Sequence, residues 1–286
     1  MRKNQKDWLG SGWMVVAAAL FTLMNLWVKQ AGLRYGFGTG ELVFWRMLFA
    51  VVALGVWGAI RRKTFATPYI KAHLNRSISG TLGMFFIFYA VVNLPLATGV
   101  TLSYTSSIFL ALLSFLVLKE KIPAYTQMML VLGFVGVVVL LNPSFASGQA
   151  FAAVVGLLGG LLAGWAYLQV RELSLLGEPS WRVVFYLSLT GTVMGAIWSG
   201  LTGWHLPSGE AWWHLLGIGA SAMGAQLAMT HAYKVGRKFT VAALAYLTVV
   251  FSTLAGIFLL GDKIGWQEWL GMVIIVSSGL LSVLKK

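Results

Sequence analysis

Ten long apolar stretches, almost free of charge, decide what this chain can fold into. A bilayer core near 30 Å needs about 20 apolar residues per helix, and runs of that kind place spans at roughly 9–28, 41–60, 77–93, 96–118, 124–142, 151–171, 181–201, 211–231, 239–260 and 267–284. In lipid every backbone polar group must be satisfied internally, which leaves helices or closed barrels. Barrel strands read as about ten alternating residues. The runs here are continuous, as in Met14–Leu26 and Leu110–Leu118, so the expectation is an all-α polytopic membrane protein. Composition agrees. The chain is 58% hydrophobic and 10% charged, against about 45–50% and 25% in soluble domains.

Turn chemistry separates the spans at Asn93-Leu94-Pro95, Ile122-Pro123, Asn142-Pro143, Glu178-Pro179 and Leu206-Pro207. The connections leave no room for a soluble domain. The first span follows Arg2, Lys3 and Lys6 as a signal peptide would, but its apolar run is too long and nine more follow, so it reads as a retained helix. The formal net charge of +13 does not predict a nucleic-acid partner, because no segment is long enough to carry a basic soluble face. The charge instead tracks topology. With the N-terminus inside, seventeen of the 21 Lys and Arg residues fall on the cytoplasmic side, and only Lys29, Arg34 and Lys263 on the other. Lys/Arg asymmetry of this size predicts that both ends are cytoplasmic, in the inner (cell) membrane of a bacterium. The absence of cysteine excludes disulfides, thiolate chemistry and Cys-ligated metals.

The chain also repeats. Residues 89–122 align without a gap on residues 231–264, and Thr98/Thr240, Leu102/Leu244, Tyr104/Tyr246, Phe109/Phe251 and Lys121/Lys263 are identical, with Glu120/Asp262 keeping the charge. Two units follow, 1–145 and 146–286, with five spans each. An odd number of spans turns the second unit upside down relative to the first, the inverted-repeat arrangement of secondary transporters.

At the level of motifs the chain resembles the drug/metabolite transporter superfamily, and within it the ten-helix EamA-type exporters. The resemblance covers essentially the whole chain. It rests on Phe21–Asn25 (FTLMN) followed by Lys29, on Glu41–Arg46 (ELVFWR), on Leu94–Thr98 (LPLAT), and on Leu102–Phe109 (LSYTSSIF) leading into Leu118–Ile122 (LKEKI). It implies export of amino acids or other small metabolites by alternating access, through a central cavity lined mainly by spans 3, 4, 8 and 9. A lipid or lipid-linked-sugar flippase is the alternative, and oligomeric state is left open.

Among the residues, Arg46 is the sharpest candidate. A charge at depth is costly and normally faces a partner or a wet cavity. Arg46 either attracts a substrate carboxylate, or snorkels outward or pairs with Glu41 for structural reasons. Span 4 carries Thr98, Thr101 and Thr105 on one face, with Tyr104 beside them and Ser103, Ser106 and Ser107 adding hydroxyls. These bond locally or line a cavity, as do Tyr246 and Thr248 in the other half. Tyr89 joins the set from span 3, Trp165 and Tyr167 from span 6, and Gln226 from span 8. Asn25, deep in span 1, needs a partner or a ligand. Gly156, Gly160 and Gly164 favour close helix packing. His73, His205, His214 and His231 lack metal-ligand spacing, with only His231 placed to titrate near a gate. No cofactor or nucleotide motif occurs, and the eight acids fall at span ends or loops, so neither an enzyme nor a cavity-borne proton relay is expected. Facilitated uniport, or coupling through the charge of the substrate itself, is the expected driving scheme.

Overall fold

The computed structural model describes residues 2–94, 101–141, 149–260 and 265–284, and they are helical almost throughout. The helices are α1 (Arg2–Tyr35), α2 (Thr39–Ile60), α3 (Ile70–Asn93), α4 (Ser106–Leu116), α5 (Ala124–Leu141), α6 (Ala150–Leu175), α7 (Ser180–Thr202), α8 (Ala211–Val235), α9 (Lys238–Ala245), α10 (Leu247–Leu260) and α11 (Trp266–Leu284). Among the described residues five stretches are long and apolar enough to cross a membrane: Gly10–Gly32, Thr39–Ile60, Ala150–Leu175, Ser180–Thr202 and Lys238–Ala255. Three shorter apolar helices accompany them, Thr101–Leu116, Ala124–Leu140 and Trp269–Leu281. Thr98, Pro95, Asn142-Pro143 and the Asp262–Ile264 end of the repeat lie outside the described residues.

Local sequence explains where helices start and stop. Glu41, in the first turn of α2, accepts the Gly38 N–H at 2.8 Å, so a carboxylate serves the positive end of the helix. At the far end of α6, Gly177 adopts φ 86°. Its N–H reaches Ser174 O at 3.2 Å while Glu178 N–H reaches Leu173 O at 3.0 Å. This is a Schellman motif, which needs a residue without Cβ at the left-handed position. Pro179 then starts α7 one residue after Glu178.

α1 packs along α8, α3 along α6, α2 along α7 and α5 along α11, while α4 lies on α6 and the α9–α10 pair on α1. Small residues make the close approaches. A Cβ on Gly83 or Gly159 would meet the backbone of the facing helix at 3.2 and 3.0 Å, and one on Gly160 or Gly164 would meet Leu102 O or Ser106 O at 2.8 and 2.9 Å. The outward faces carry Val56, Phe115, Val154, Ile197, Phe258 and Val273, all exposed. A surface this apolar is solvated by lipid tails.

Two details differ from the expected spans. The helix expected over 77–93 begins at Ile70, because a hydropathy window scores Lys71, His73 and Arg76 as loop without regard to which face they occupy. Arg76 therefore leaves the cytoplasmic loop set and is buried within α3. The second difference is that the expected spans 96–118 and 239–260 are each interrupted. At Thr105, N–H bonds Leu102 O at 3.2 Å and O accepts Ile108 N–H at 3.0 Å; at Tyr246, N–H bonds Ala243 O at 3.2 Å and O accepts Val249 N–H at 3.0 Å. Both are tight i→i+3 turns inside otherwise α-helical runs. The second turn moves the Tyr246 N–H off Ala242 O, and the Ser107 hydroxyl donates to that carbonyl at 3.0 Å.

Candidate functional site

Among the described residues the helices surround a partly open cavity of about 200 Å³. α1 contributes Met14, Phe21, Met24 and Asn25; α2 contributes Arg46; α3 contributes Arg76, Gly80, Met84, Ile87 and Phe88. Ser103, Tyr104 and Ser106 enter around the Thr105 interruption, and Ala245 and Thr248 around the Tyr246 interruption. Tyr167 comes from α6, and Gln226, Met229 and Tyr233 from α8. Irregular backbone beside a cavity is how discontinuous membrane helices avoid exposing unsatisfied groups to lipid.

Arg76, Gly80, Met84 and Ile87 recur at four- and three-residue steps, one face of α3, which is why all four reach the cavity. Arg46 is 7% exposed and donates from Nη1 to Met84 Sδ at 3.3 Å. Glu41 is not its partner. That carboxylate, 2% exposed, receives Gly38 N–H, His205 N–H and, at 3.1 Å, His205 Nδ1. It ties the start of α2 to the loop before α8. Arg76 is 2% exposed, and among the described residues its Nε has no acceptor. Tyr167 stands within electrostatic reach of both guanidinium groups and stacks on Tyr233, ring centroids 5.5 Å apart. Among the described residues no Asp or Glu lines this cavity.

Of the residues singled out from sequence, Asn25, Arg46, Tyr104, Tyr167, Gln226 and Thr248 line the cavity together. Ser103 and Ser106 line it as well, while Tyr89, Thr101, Thr105, Trp165 and Tyr246 stand outside its walls. Tyr89 is exposed against Phe151, ring centroids 6.1 Å apart. Thr105 turns its hydroxyl back to Leu102 O at 2.6 Å, the local bonding open to any helical threonine. Thr101 is buried nearby. Trp165 donates Nε1 to Asn75 Oδ1 at 3.3 Å, and Tyr246 reaches Leu130 O on α5 at 3.3 Å. His231 packs edge-on against Trp13 at 5.3 Å. Sequence reasoning missed Arg76 and the four methionines, Met14, Met24, Met84 and Met229. The Arg76–Gly80–Met84–Ile87 stripe was the signal that would have found the first.

A polar cluster closes one end of the bundle. Glu178, 3% exposed, accepts Thr67 Oγ1 at 2.7 Å and Arg182 Nη1 at 3.0 Å, and His73 Nε2 lies 3.2 Å away. Burial alone would raise this carboxyl, but the hydrogen bonds from Thr67, Arg182 and His73 outweigh it and hold the pKa below the ordinary carboxylate value. Lys234 Nζ donates to Glu178 O at 3.1 Å, and Arg171 Nη1 to Tyr233 O and Lys234 O, both at 2.9 Å. The ends of α6 and α8, the start of α7 and the loop before α3 are thus joined through one carboxylate and its backbone.

Comparison with known proteins agrees with this architecture. The chain is 29% identical over 297 residues to the pseudopaline exporter CntI of Pseudomonas aeruginosa, covering 98% of this chain and 99% of that one. It is 29% identical over 281 residues to a riboflavin transporter of Vibrio cholerae, covering 94% and 91%. A solved structure, 18% identical, superposes with a TM-score of 0.82 over 96% of this chain and 98% of its own, which establishes the fold. The EamA-like transporter family model matches twice, over residues 8–142 and 150–284, and the chain belongs to that family of multi-pass membrane transporters.

Proposed function

We propose that this protein is a secondary transporter that exports small carboxylate-bearing metabolites, amino acids among them, by alternating access around the central cavity. The observation that carries the reading is that cavity itself: furnished with the buried Arg46, Gln226 and Thr248 beside Asn25 and Tyr104, and free of acid side chains among the described residues. A guanidinium in a water-poor site binds a carboxylate through paired, charge-assisted hydrogen bonds. Relatives named for exporting pseudopaline and for transporting riboflavin support carriage of small molecules. The volume, about 200 Å³, falls below the ~300–1,000 Å³ of drug-sized pockets and suits a compact cargo.

In this reading the chain forms ten spans as two inverted halves, 1–145 and 146–286, with both ends in the cytoplasm of a bacterial cell. The packing pairs support it. Exchanging the halves carries the α1–α8 pair onto α6–α3, and the α1 contact with α9–α10 onto that of α6 with α4; the α2–α7 and α5–α11 pairs map onto themselves. The two interruptions, at Thr105 and Tyr246, also fall in corresponding spans. Inverted repeats with broken helices at a central site are the apparatus of rocking-type alternating access. With no carboxylate at the cavity among the described residues, movement in this reading follows the gradient and charge of the cargo.

Counterflow in proteoliposomes tests the proposal: preloaded unlabelled metabolites, labelled tracer outside, with and without a pH gradient. Exchange confined to carboxylate-bearing metabolites and lowered by Arg46→Ala is expected. Silence across a broad panel from folded protein refutes it and points to a lipid-linked cargo.

A further inference from the structure

Arg46 and Arg76 are two cationic side chains facing one cavity, both more than nine-tenths buried. The ion pairs among the described residues join His73 and Arg182 to Glu178, His205 to Glu41 and Lys238 to Glu120; neither cavity arginine takes part. Arg46 has a thioether for its neighbour, and Arg76 leaves Nε without an acceptor among the described residues. A desolvated guanidinium without an anion is costly to hold, and doubly so when a second one shares the site.

Their placement along α3 is specific. Arg76 runs up its own helix until Nη1 lies over Gly80, in the space a Cβ there would occupy. Arg46 Nη1 donates to the Met84 sulfur at 3.3 Å. Gly80 and Met84 are one turn apart, about 6 Å along the axis. The two guanidinium groups therefore meet the same face of α3, one over Gly80 and one at the Met84 side chain, with Tyr167 within electrostatic reach of both.

We propose, on the basis of the carrier reading above, that the cargo bears two acidic groups, one for each arginine: a short dicarboxylate. A single carboxylate would leave one buried cation unmatched. Gly80 then has a role in specificity, because its missing side chain lets the Arg76 guanidinium lie over it at the cavity. Alanine at this position meets only the flexible tip of Arg76 at close range, with Leu187 Cδ1 next at 3.4 Å, so the helix bundle tolerates it while the guanidinium must move.

The test is exchange by the full-length protein in proteoliposomes, with labelled succinate and labelled alanine as separate tracers. Succinate, malate and glutamate serve as two-acid loads, and alanine and gluconate as one-acid loads. Exchange restricted to two-acid loads is expected. Arg76→Gln and Gly80→Ala, each purified as a monodisperse protein, should lower succinate exchange about tenfold or more. Equal exchange of one-acid and two-acid loads, or variants that leave succinate exchange intact, overturns the dicarboxylate assignment while leaving a carboxylate carrier standing. Exchange of nothing in the panel by folded protein sinks both.

Discussion

Replacing Ser107 by alanine removes the donor that satisfies Ala242 O, an acceptor freed when the Tyr246 N–H turns to Ala243 O. Two magnitudes compete. An orphaned buried acceptor costs ~1–3 kcal/mol, whereas hydrogen bonds between membrane helices average only ~0.6 kcal/mol, with a maximum near 1.7, because the unfolded reference also finds partners. Here that reference is an unbroken helix in which Ala242 O already has its own i+4 donor. The native state alone carries the orphan, so Ser107→Ala should fall at the upper end, about 1.5 kcal/mol. Ser107→Thr keeps the hydroxyl and should lose less than half as much. The assay is reversible unfolding of purified protein in mixed micelles by increasing SDS, with the alanine and threonine variants side by side. A loss below about 0.5 kcal/mol for alanine, or equal losses for both, would show that another donor serves Ala242 and that Ser107 does not hold the interruption open.

Three further outcomes follow from the packing and the polar end cluster. Glu178→Gln removes the charge shared by Arg182 and His73 and should cost about 2–3 kcal/mol, at the low end for a broken buried pair because Arg182 is partly exposed. Because the Glu178 pKa is lowered on folding, its contribution to stability is fully present above the ordinary carboxylate value of 4.5 and drains away as pH falls through the lower folded value. Unfolding at stepped pH should show that decline in the native chain and lose it in Glu178→Gln. Gly160→Ala drives a Cβ against Leu102 O, a backbone atom, and should destabilise by ~1–3 kcal/mol with a lower thermal midpoint. Tyr246→Phe removes a long hydrogen bond to Leu130 O and should change stability by less than about 1 kcal/mol in the same titration.

Much of the architecture was legible because lipid punishes exceptions. Proline and asparagine at the span ends marked boundaries such as those of α5, α7 and α8 to within a residue or two at their starts. The interruptions at Thr105 and Tyr246 were not legible. Neither carries a proline or glycine at the turn, and Ala242 O is satisfied across the bundle by Ser107, a partner 135 residues away. Arg46 was conspicuous as a charge inside an apolar run. Arg76 was hidden because it sits one turn inside a segment rich in charge and polarity, and only its face, not its neighbourhood, distinguishes it from Lys71. Depth also misled at Trp165: a position well inside a long run places a ring by height, whereas its direction, toward Asn75, depends on how α6 is rotated against α3.

Methionine forms the pliant part of the cavity wall, with Met14, Met24, Met84 and Met229 from three different helices. An unbranched thioether has three torsions to rearrange and no branched shape to defend. Such a lining can swell or shrink around its contents while the helices stay where they are. A wall of this kind is a poor ruler of molecular outline, so discrimination falls to the fixed charges embedded in it. Chains that share this scaffold can then change cargo by moving one cation along a helix, with no need to rebuild the chamber.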